Sequence, residues 1–168
     1  MELDRARLEE IVDAIVQRLP GDWLLVGGAL AALWLEPRRT TEDVDVLGLA
    51  GTADERMSLL RLAAELGLPV EALNSAADFF VRRIEGWRED LELFRHGARG
   101  RIYRPTVTLF VLLKLERLSE RDLADSLAAV ARARAEGLRF DPKRIVAALA
   151  ALPPVTDPDL VRRRAQLR

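Results

Sequence analysis

Two stretches of sequence decide the predicted fold: Trp23-Leu24-Leu25-Val26-Gly27-Gly28, and then Thr41-Glu42-Asp43-Val44-Asp45-Val46. Each contains an apolar run that is typical of a buried strand. A double glycine ends the first run, and two aspartates occupy alternate positions in the second. Because side chains two residues apart on a strand point to the same face, Asp43 and Asp45 are predicted to project together.

The paired aspartates indicate a cation site. Two nearby carboxylates repel each other unless a cation neutralises them. A site with oxygen ligands alone suits Mg²⁺ or Mn²⁺. Two other interpretations stay open: an acidic strand end exposed at the protein edge, and an Asp-x-Asp glycosyltransferase. A chain of 168 residues leaves little room for the sugar-nucleotide domain of such an enzyme.

The double glycine predicts a phosphate contact. Gly27 and Gly28 lie between a predicted strand over residues 23–26 and a predicted short helix over residues 29–35. Glycine permits positive φ and lets a ligand approach the main chain closely. The N–H groups at the start of the helix are then available to a phosphate.

Gly27-Gly28 followed by Arg39-x-Thr41-x-Asp43-x-Asp45 resembles the signature of the minimal nucleotidyltransferases of the polymerase-β superfamily. It is especially similar to the AbiEii-like toxins and related bacterial groups. The resemblance implies a Mg²⁺-dependent enzyme that moves a nucleoside monophosphate from an NTP to tRNA, a protein hydroxyl or a small molecule. It also implies that Asp43 and Asp45 are catalytic metal ligands, and that Arg39 and Thr41 touch phosphate or hold the loop.

The same resemblance implies a third metal-binding carboxylate on a later strand. Asp90 and Glu92 are the candidates in the segment Trp87-Arg88-Glu89-Asp90-Leu91-Glu92-Leu93-Phe94. Alternation puts them on one face of a strand, with Leu91 and Leu93 on the other. Ordinary solvent-facing alternation on a half-buried strand explains the pattern equally well.

A second likeness to the AbiEii-like enzymes lies in Lys114-Leu115 and Asp122-x-x-Asp125. It implies that Lys114 and Asp122 are catalytic and that Lys114 binds the nucleotide. From the residues alone, a lysine inside an apolar run either reaches an anion or extends along the helix flank to solvent. Asp122 and Asp125 share a helical face, where they could orient Lys114, approach the metal or cap a helix.

Composition excludes several classes of protein. The chain has no cysteine and one histidine, His96, which argues against disulfides, thiolate chemistry and a zinc site. A formal net charge of -1 gives no general attraction to nucleic acid. No apolar run approaches the roughly 18 residues of a membrane span, and the first residues lack the apolar stretch of a signal peptide. We therefore expect a cytoplasmic protein without a membrane partner.

The order of elements predicts an α/β (α+β) protein: a small mixed sheet flanked by helices, followed by a helical C-terminal part. We expect an α/β core over residues 1–105 and a helical region packed on it over residues 106–168. Strands are predicted over residues 23–26, 44–49, 69–73, 79–84, 91–94 and 101–103, with a hairpin turn over residues 96–100. Helices are predicted over residues 3–19, 29–35, 53–66, 109–118, 120–135 and 142–152, before a basic tail over residues 159–168.

The sequence leaves the partners open. Arg82 and Arg83 could line an acceptor groove, and the tail residues 162–164 could bind RNA, but solvated arginine explains both. The leading hypothesis is a nucleotidyltransferase. The family resemblance suggests the toxin of a toxin–antitoxin pair as one setting for it. The alternative is a catalytically inactive binding module of the same fold that acts as an antitoxin or scaffold.

Overall fold

Strand β1 (Gly21–Val26) lies in the middle of a five-stranded mixed sheet in the computed structural model, which describes all residues from 1 to 168. The chain divides into two units, Met1–Pro105 and Thr106–Arg168. The division falls where the sequence changes from mixed strands and helices to helices alone. The mixed sheet with flanking helices confirms the predicted α/β class.

The first unit holds the whole sheet. Its strand order is β3-β2-β1-β5-β4, with β1 antiparallel to β2 and parallel to β5. One helix, α1 (Arg5–Arg18), precedes β1. The elements that follow β1 in chain order are α2 (Gly27–Trp34), β2 (Val44–Gly48), α3 (Ala53–Glu65), β3 (Leu73–Asn74), α4 (Asp78–Arg82), a 3-10 turn (Trp87–Asp90), β4 (Leu91–His96) and β5 (Gly100–Pro105).

Apolar periodicity correctly predicted the elements that form the core. Residues 23–26 of β1 are all buried, as expected for a central strand. The inner face of α1 buries Leu8, Ile11 and Ile15 completely. Each such side chain contributes about 1.5–3 kcal/mol when it leaves water. These contacts make the sheet around β1 the rigid part of the first unit.

The second unit consists of α5 (Val107–Leu112), α6 (Glu120–Glu136), α7 (Pro142–Ala151) and α8 (Pro158–Gln166). The sequence predicted the ends of α6 correctly. Ser119 and Asp122 form a reciprocal capping box at its start, and Gly137 ends it with a φ of 66°. No helix in the protein is long and apolar enough to cross a membrane.

The strand predicted over residues 79–84 is wrong, because this segment forms the short helix α4. Asp78 and Arg82, four residues apart, form an ion pair of 2.8 Å that favours a helical turn. Phe79 and Phe80 are 64% and 53% exposed, whereas Val81 of the same run is fully buried. A short apolar run does not distinguish a strand from a helix without that information.

Three other boundaries differ from the predictions. The helix predicted over residues 109–118 ends at Leu112, and the chain then turns, reaching a positive φ of 36° at Leu118. The strand predicted over residues 69–73 is reduced to Leu73–Asn74. The predicted basic tail contains α8, whose start is capped by Asp157 and favoured by proline at its first position.

Candidate nucleotide and metal site

Gly27 makes the turn between β1 and α2, and it does so in direct contact with Asp45. Its φ is +70°, a left-handed conformation that residues with a Cβ rarely adopt. A Cβ built on Gly27 would lie only 2.5 Å from Asp45 Oδ2. Both the backbone angle and the space therefore require glycine. The contact follows from the pairing of Val26 with Asp45 across β1 and β2.

Gly28 lies against the residues that precede the aspartates. A Cβ built there would be 2.8 Å from Thr41 Oγ1 and 3.6 Å from Arg39 Nη2. Arg39 is half-buried, whereas its neighbour Arg38 is exposed, so the two arginines have different environments. The structure thus brings Arg39 and Thr41 to the double-glycine turn, together with Asp45.

Thr41 also links the turn to Asp43. Its hydroxyl lies 3.3 Å from the carbonyl oxygen of Asp43 and 3.4 Å from Asp43 Oδ1. Asp43 is exposed and Asp45 is half-buried. We define residues 39–45 as the site segment. Within this segment the Asp43 and Asp45 carboxylates, the Thr41 hydroxyl and the Arg39 guanidinium are the candidate ligand-binding groups beside the double-glycine turn.

The start of α2 adds backbone donors to this arrangement. The helix begins at Gly27, and the residue before it, Val26, provides no side-chain cap. The first N–H groups of a helix have no partner within the helix, and the helix dipole favours an anion there. The site therefore combines carboxylates that suit a cation with a helix start that suits a phosphate.

Neither candidate for the third carboxylate reaches the site segment. Strands β1 and β5 lie between β2 and β4, so Asp45 and the start of β4 are three strand spacings apart, about 14 Å. Asp90 lies just before β4, at the end of the 3-10 turn, and is 8% exposed. No group of three or more His, Cys, Asp or Glu side chains in the protein is arranged to hold a metal.

Glu92 has a different role from the predicted one. It is paired with Arg104 across the β4–β5 ladder and accepts a hydrogen bond from its guanidinium. Strand register places Glu92 and Arg104 on the sheet face opposite to that of Asp45. Arg104 also stacks on Trp34, with its guanidinium carbon 4.3 Å from the ring centroid. Glu92 therefore neutralises a largely buried arginine.

Lys114 and the two aspartates of α6 form a buried cluster in the second unit. Its ammonium Nζ donates to Asp125 Oδ2 at 2.9 Å and to Asp122 Oδ1 at 3.2 Å. The ammonium also lies 5.0 Å from the centroid of the Phe110 ring. Lys114 is in the turn after α5, so the early end of this helix lets its side chain reach α6. The anions that Lys114 contacts in the structure are the two carboxylates of α6, and its contact with a nucleotide stays a prediction.

Asp122 holds this cluster together. Arg117 donates to both of its carboxylate oxygens, at 2.8 and 2.9 Å, and Ser119 donates through its N–H and its hydroxyl. Burial raises the pKa of Asp122, but the hydrogen bonds from Arg117 and Ser119 and the charge of Lys114 outweigh burial and lower it well below its usual value. The side chain is 2% exposed. Of the roles left open by the sequence, capping and orientation of Lys114 are those that the structure contains.

The remaining candidate arginines bond within their own units. Arg82 donates to the carbonyl oxygen of Gly48 at 3.0 Å, and Arg83 lies 5.2 Å from the centroid of the Phe79 ring. The tail arginines hold α8 in place: Arg162 and Arg163 pair with Glu120, Arg163 also donates to Leu118 O, and Arg164 donates to Pro153 O.

Two contributors to these clusters were missed from the sequence. Arg117 was not among the sequence candidates, although it donates two hydrogen bonds to Asp122. Leu3 was read as part of α1, but it lies before that helix and pairs through its backbone with Thr41. No local pattern indicates that pairing, because the two residues are far apart in sequence.

Comparison with known proteins adds no relative: no family model, curated protein or solved structure matches this chain.

Proposed function

We propose that the chain is a Mg²⁺-dependent nucleotidyltransferase that transfers an NMP from an NTP to an acceptor. The observation that carries the proposal is the gathering of Asp45, Thr41 and Arg39 around Gly27 and Gly28. This set combines the residues of the polymerase-β-like signature in one place. The same residues scattered over the surface would have made the motif a coincidence.

The residues fit a divalent metal in the donor set that they offer. Asp43 and Asp45 supply oxygen ligands, and Mg²⁺ is commonly bound by one or two carboxylates together with substrate phosphates and water. A metal held there would neutralise charge on the triphosphate and lower the pKa of an attacking hydroxyl. Two carboxylates are thus enough to bind Mg²⁺ when the phosphates of the substrate and water complete its coordination.

The chain's own groups account for triphosphate binding. The first N–H groups of α2 have no partner within the helix and no side-chain cap, and Arg39 supplies a planar cation suited to phosphate oxygens. The absence of side chains at Gly27 and Gly28 lets Asp45 and Thr41 pack against the start of α2, next to these N–H groups. The acceptor hydroxyl would attack the α-phosphorus, and the bond to the pyrophosphate leaving group would break in line.

The acceptor is RNA, a protein hydroxyl or a small molecule, and a toxin acting with a cognate antitoxin is one setting for such an activity. A second candidate function is an inactive nucleotide-binding module of the same fold, acting as an antitoxin or scaffold. It is favoured by one observation, that no third carboxylate joins Asp43 and Asp45. The two functions differ in whether bound NTP is turned over.

The test uses the double variant Asp43→Ala/Asp45→Ala and the control Glu42→Ala, which removes an exposed carboxylate from the same segment. Each protein is incubated with labelled NTPs, Mg²⁺, total RNA and cell lysate, and binding of Mg²⁺·NTP is measured by calorimetry. We expect the double variant to lose transfer and the control to retain it. Transfer at the normal rate in the double variant would refute the proposal, and NTP binding without any transfer by the wild type would favour the module.

A further inference from the structure

Leu3 and Thr41 form an isolated antiparallel bridge. The Leu3 N–H donates to the Thr41 carbonyl oxygen at 2.7 Å, and the Thr41 N–H donates to the Leu3 carbonyl oxygen at 3.2 Å. This reciprocal exchange is the hydrogen-bonded pair of an antiparallel ladder. It joins residues 1–4, here called the leading segment, to the middle of the site segment.

The leading segment is itself anchored on both sides of this bridge. Leu3 is 1% exposed, whereas Glu2 and Asp4 are exposed, so one apolar side chain fixes the segment to the core. Asp4 caps α1 by accepting a hydrogen bond of 2.9 Å from the Arg7 N–H. Arg5 donates to the Ala32 carbonyl oxygen of α2 at 3.4 Å. The bridge therefore connects the site segment to a rigid part of the fold.

The site segment has few other backbone constraints. Residues 40–43 make no backbone–backbone hydrogen bond except the two with Leu3. The pinned residue, Thr41, is also the one whose hydroxyl lies against Gly28 and Asp43. Loss of the bridge would free the backbone at the point where the metal ligands and the phosphate turn meet.

We infer that the leading segment positions the proposed active site, with Leu3 as a positioning residue that acts through Thr41. This inference rests on the proposed function. The Leu3 side chain is 1% exposed, so its proposed effect on the site is indirect. It holds Thr41, and through Thr41 it holds Asp43, in the arrangement that binds Mg²⁺·NTP.

The experiment compares Leu3→Pro, which removes the donating N–H, and Leu3→Ala, which removes the buried anchor, with the wild type. The matched control is Leu8→Ala, because Leu8 is also fully buried but makes no contact with the site segment through its backbone. Leu3→Met serves as the conservative variant. The readouts are hydrogen exchange at the Thr41 amide relative to the β1 amides, and the Kd for Mg²⁺·ATP and Mg²⁺·GTP.

We expect both Leu3→Pro and Leu3→Ala to speed exchange at Thr41 and to raise the Kd roughly fivefold to tenfold, the size of about one lost hydrogen bond. Leu8→Ala should lower the free energy of unfolding without changing exchange at Thr41 or the Kd. Leu3→Met should keep both the exchange rate and the Kd near their wild-type values. If Leu3→Pro does not fold, Leu3→Ala carries the test.

Two results would overturn the inference: Thr41 exchange that is unchanged relative to β1, or faster exchange with an unchanged Kd. A wild-type protein that binds neither nucleotide would refute the proposed function instead. In that case the exchange comparison alone would decide whether the leading segment holds the site segment.

Discussion

Gly27 and Asp45 occupy adjoining space: the position that a Cβ would take on Gly27 is 2.5 Å from a carboxylate oxygen of Asp45. The two residues are brought together by the pairing of β1 with β2, in which Val26 lies opposite Asp45. The pairing of the two strands therefore holds Gly27 next to Asp45, and a substitution at either residue should affect the other.

Gly27→Ala is expected to destabilise the protein and to abolish binding of Mg²⁺·NTP. The substitution imposes a left-handed conformation on alanine and also displaces the Asp45 carboxylate. Gly67→Ala is the matched control, since Gly67 has a φ of +65° and nothing within 4 Å of its Cβ position. The left-handed conformation costs about 1–2 kcal/mol in both, and the clash adds about 1–3 kcal/mol at Gly27 alone. Urea unfolding and calorimetry measure the two effects, and equal destabilisation by the two variants would contradict the contact.

Gly28→Ala is expected to leave the fold intact while weakening nucleotide binding. Gly28 has no positive φ, so only the contact with Thr41 Oγ1, 2.8 Å from the Cβ position, opposes the substitution. The Thr41 side chain must then move away from the turn. The double variant Gly28→Ala/Thr41→Ala removes that obstruction. It should recover part of the nucleotide affinity that the single variant Gly28→Ala loses. A double variant with strictly additive losses, measured by calorimetry, would argue against the steric explanation.

Lys114→Met is expected to destabilise the helical unit by about 3–5 kcal/mol, the cost of leaving buried carboxylates without their cation. Asp122 and Asp125, the two acceptors of Lys114, have side chains that are 2% and 7% exposed. The only other lysine, Lys143, is exposed, which makes Lys143→Met a natural control. Chemical denaturation followed by circular dichroism measures both. A loss no larger than that of the control would show that the cluster does not support the unit.

The stability of the protein should fall as the pH drops below about 4, and Asp122→Asn should reduce that slope. The folded-state pKa of Asp122 is lowered, mainly by Arg117 and Ser119 against the effect of burial. A group of this kind stabilises the fold fully above its unfolded pKa, and the contribution is lost as the pH falls toward the folded value. Unfolding free energies measured from pH 6 to pH 2 provide the test. A variant with the same slope as the wild type would exclude Asp122 as the source.

The prediction of the fold succeeded where local patterns and tertiary packing agree. The buried strand before Gly27, the Thr52 cap at the start of α3 and the glycine stop at Gly137 are all local features, and the structure contains each of them. The helix α4 was missed because Phe79 and Phe80 are apolar but exposed, which no local pattern reveals. The early end of α5 was also missed; in the turn that follows it, Lys114 donates to Asp125 of α6.

In the candidate site, too, the sequence indicates the local features and not the contacts that depend on tertiary structure. The motif Gly27-Gly28 with Arg39, Thr41, Asp43 and Asp45 could be read directly, because residues close in sequence on adjacent strands leave few arrangements open. The partners that depend on strand order could not. Glu92 alternates correctly along its own strand, yet the position of β1 and β5 between β2 and β4 separates it from Asp45.

The amino-acid sequence determined where most helices and strands begin, because caps, glycines and apolar periodicity act over a few residues, and it contains the motif from which the function is proposed. Only the tertiary structure decided which of these groups meet. Strand order and register bring Asp45 to Gly27 and separate Glu92 from both, and a bridge across a large sequence separation joins Leu3 to Thr41. Such pairings depend on how the whole chain buries its apolar surface, which no short segment specifies.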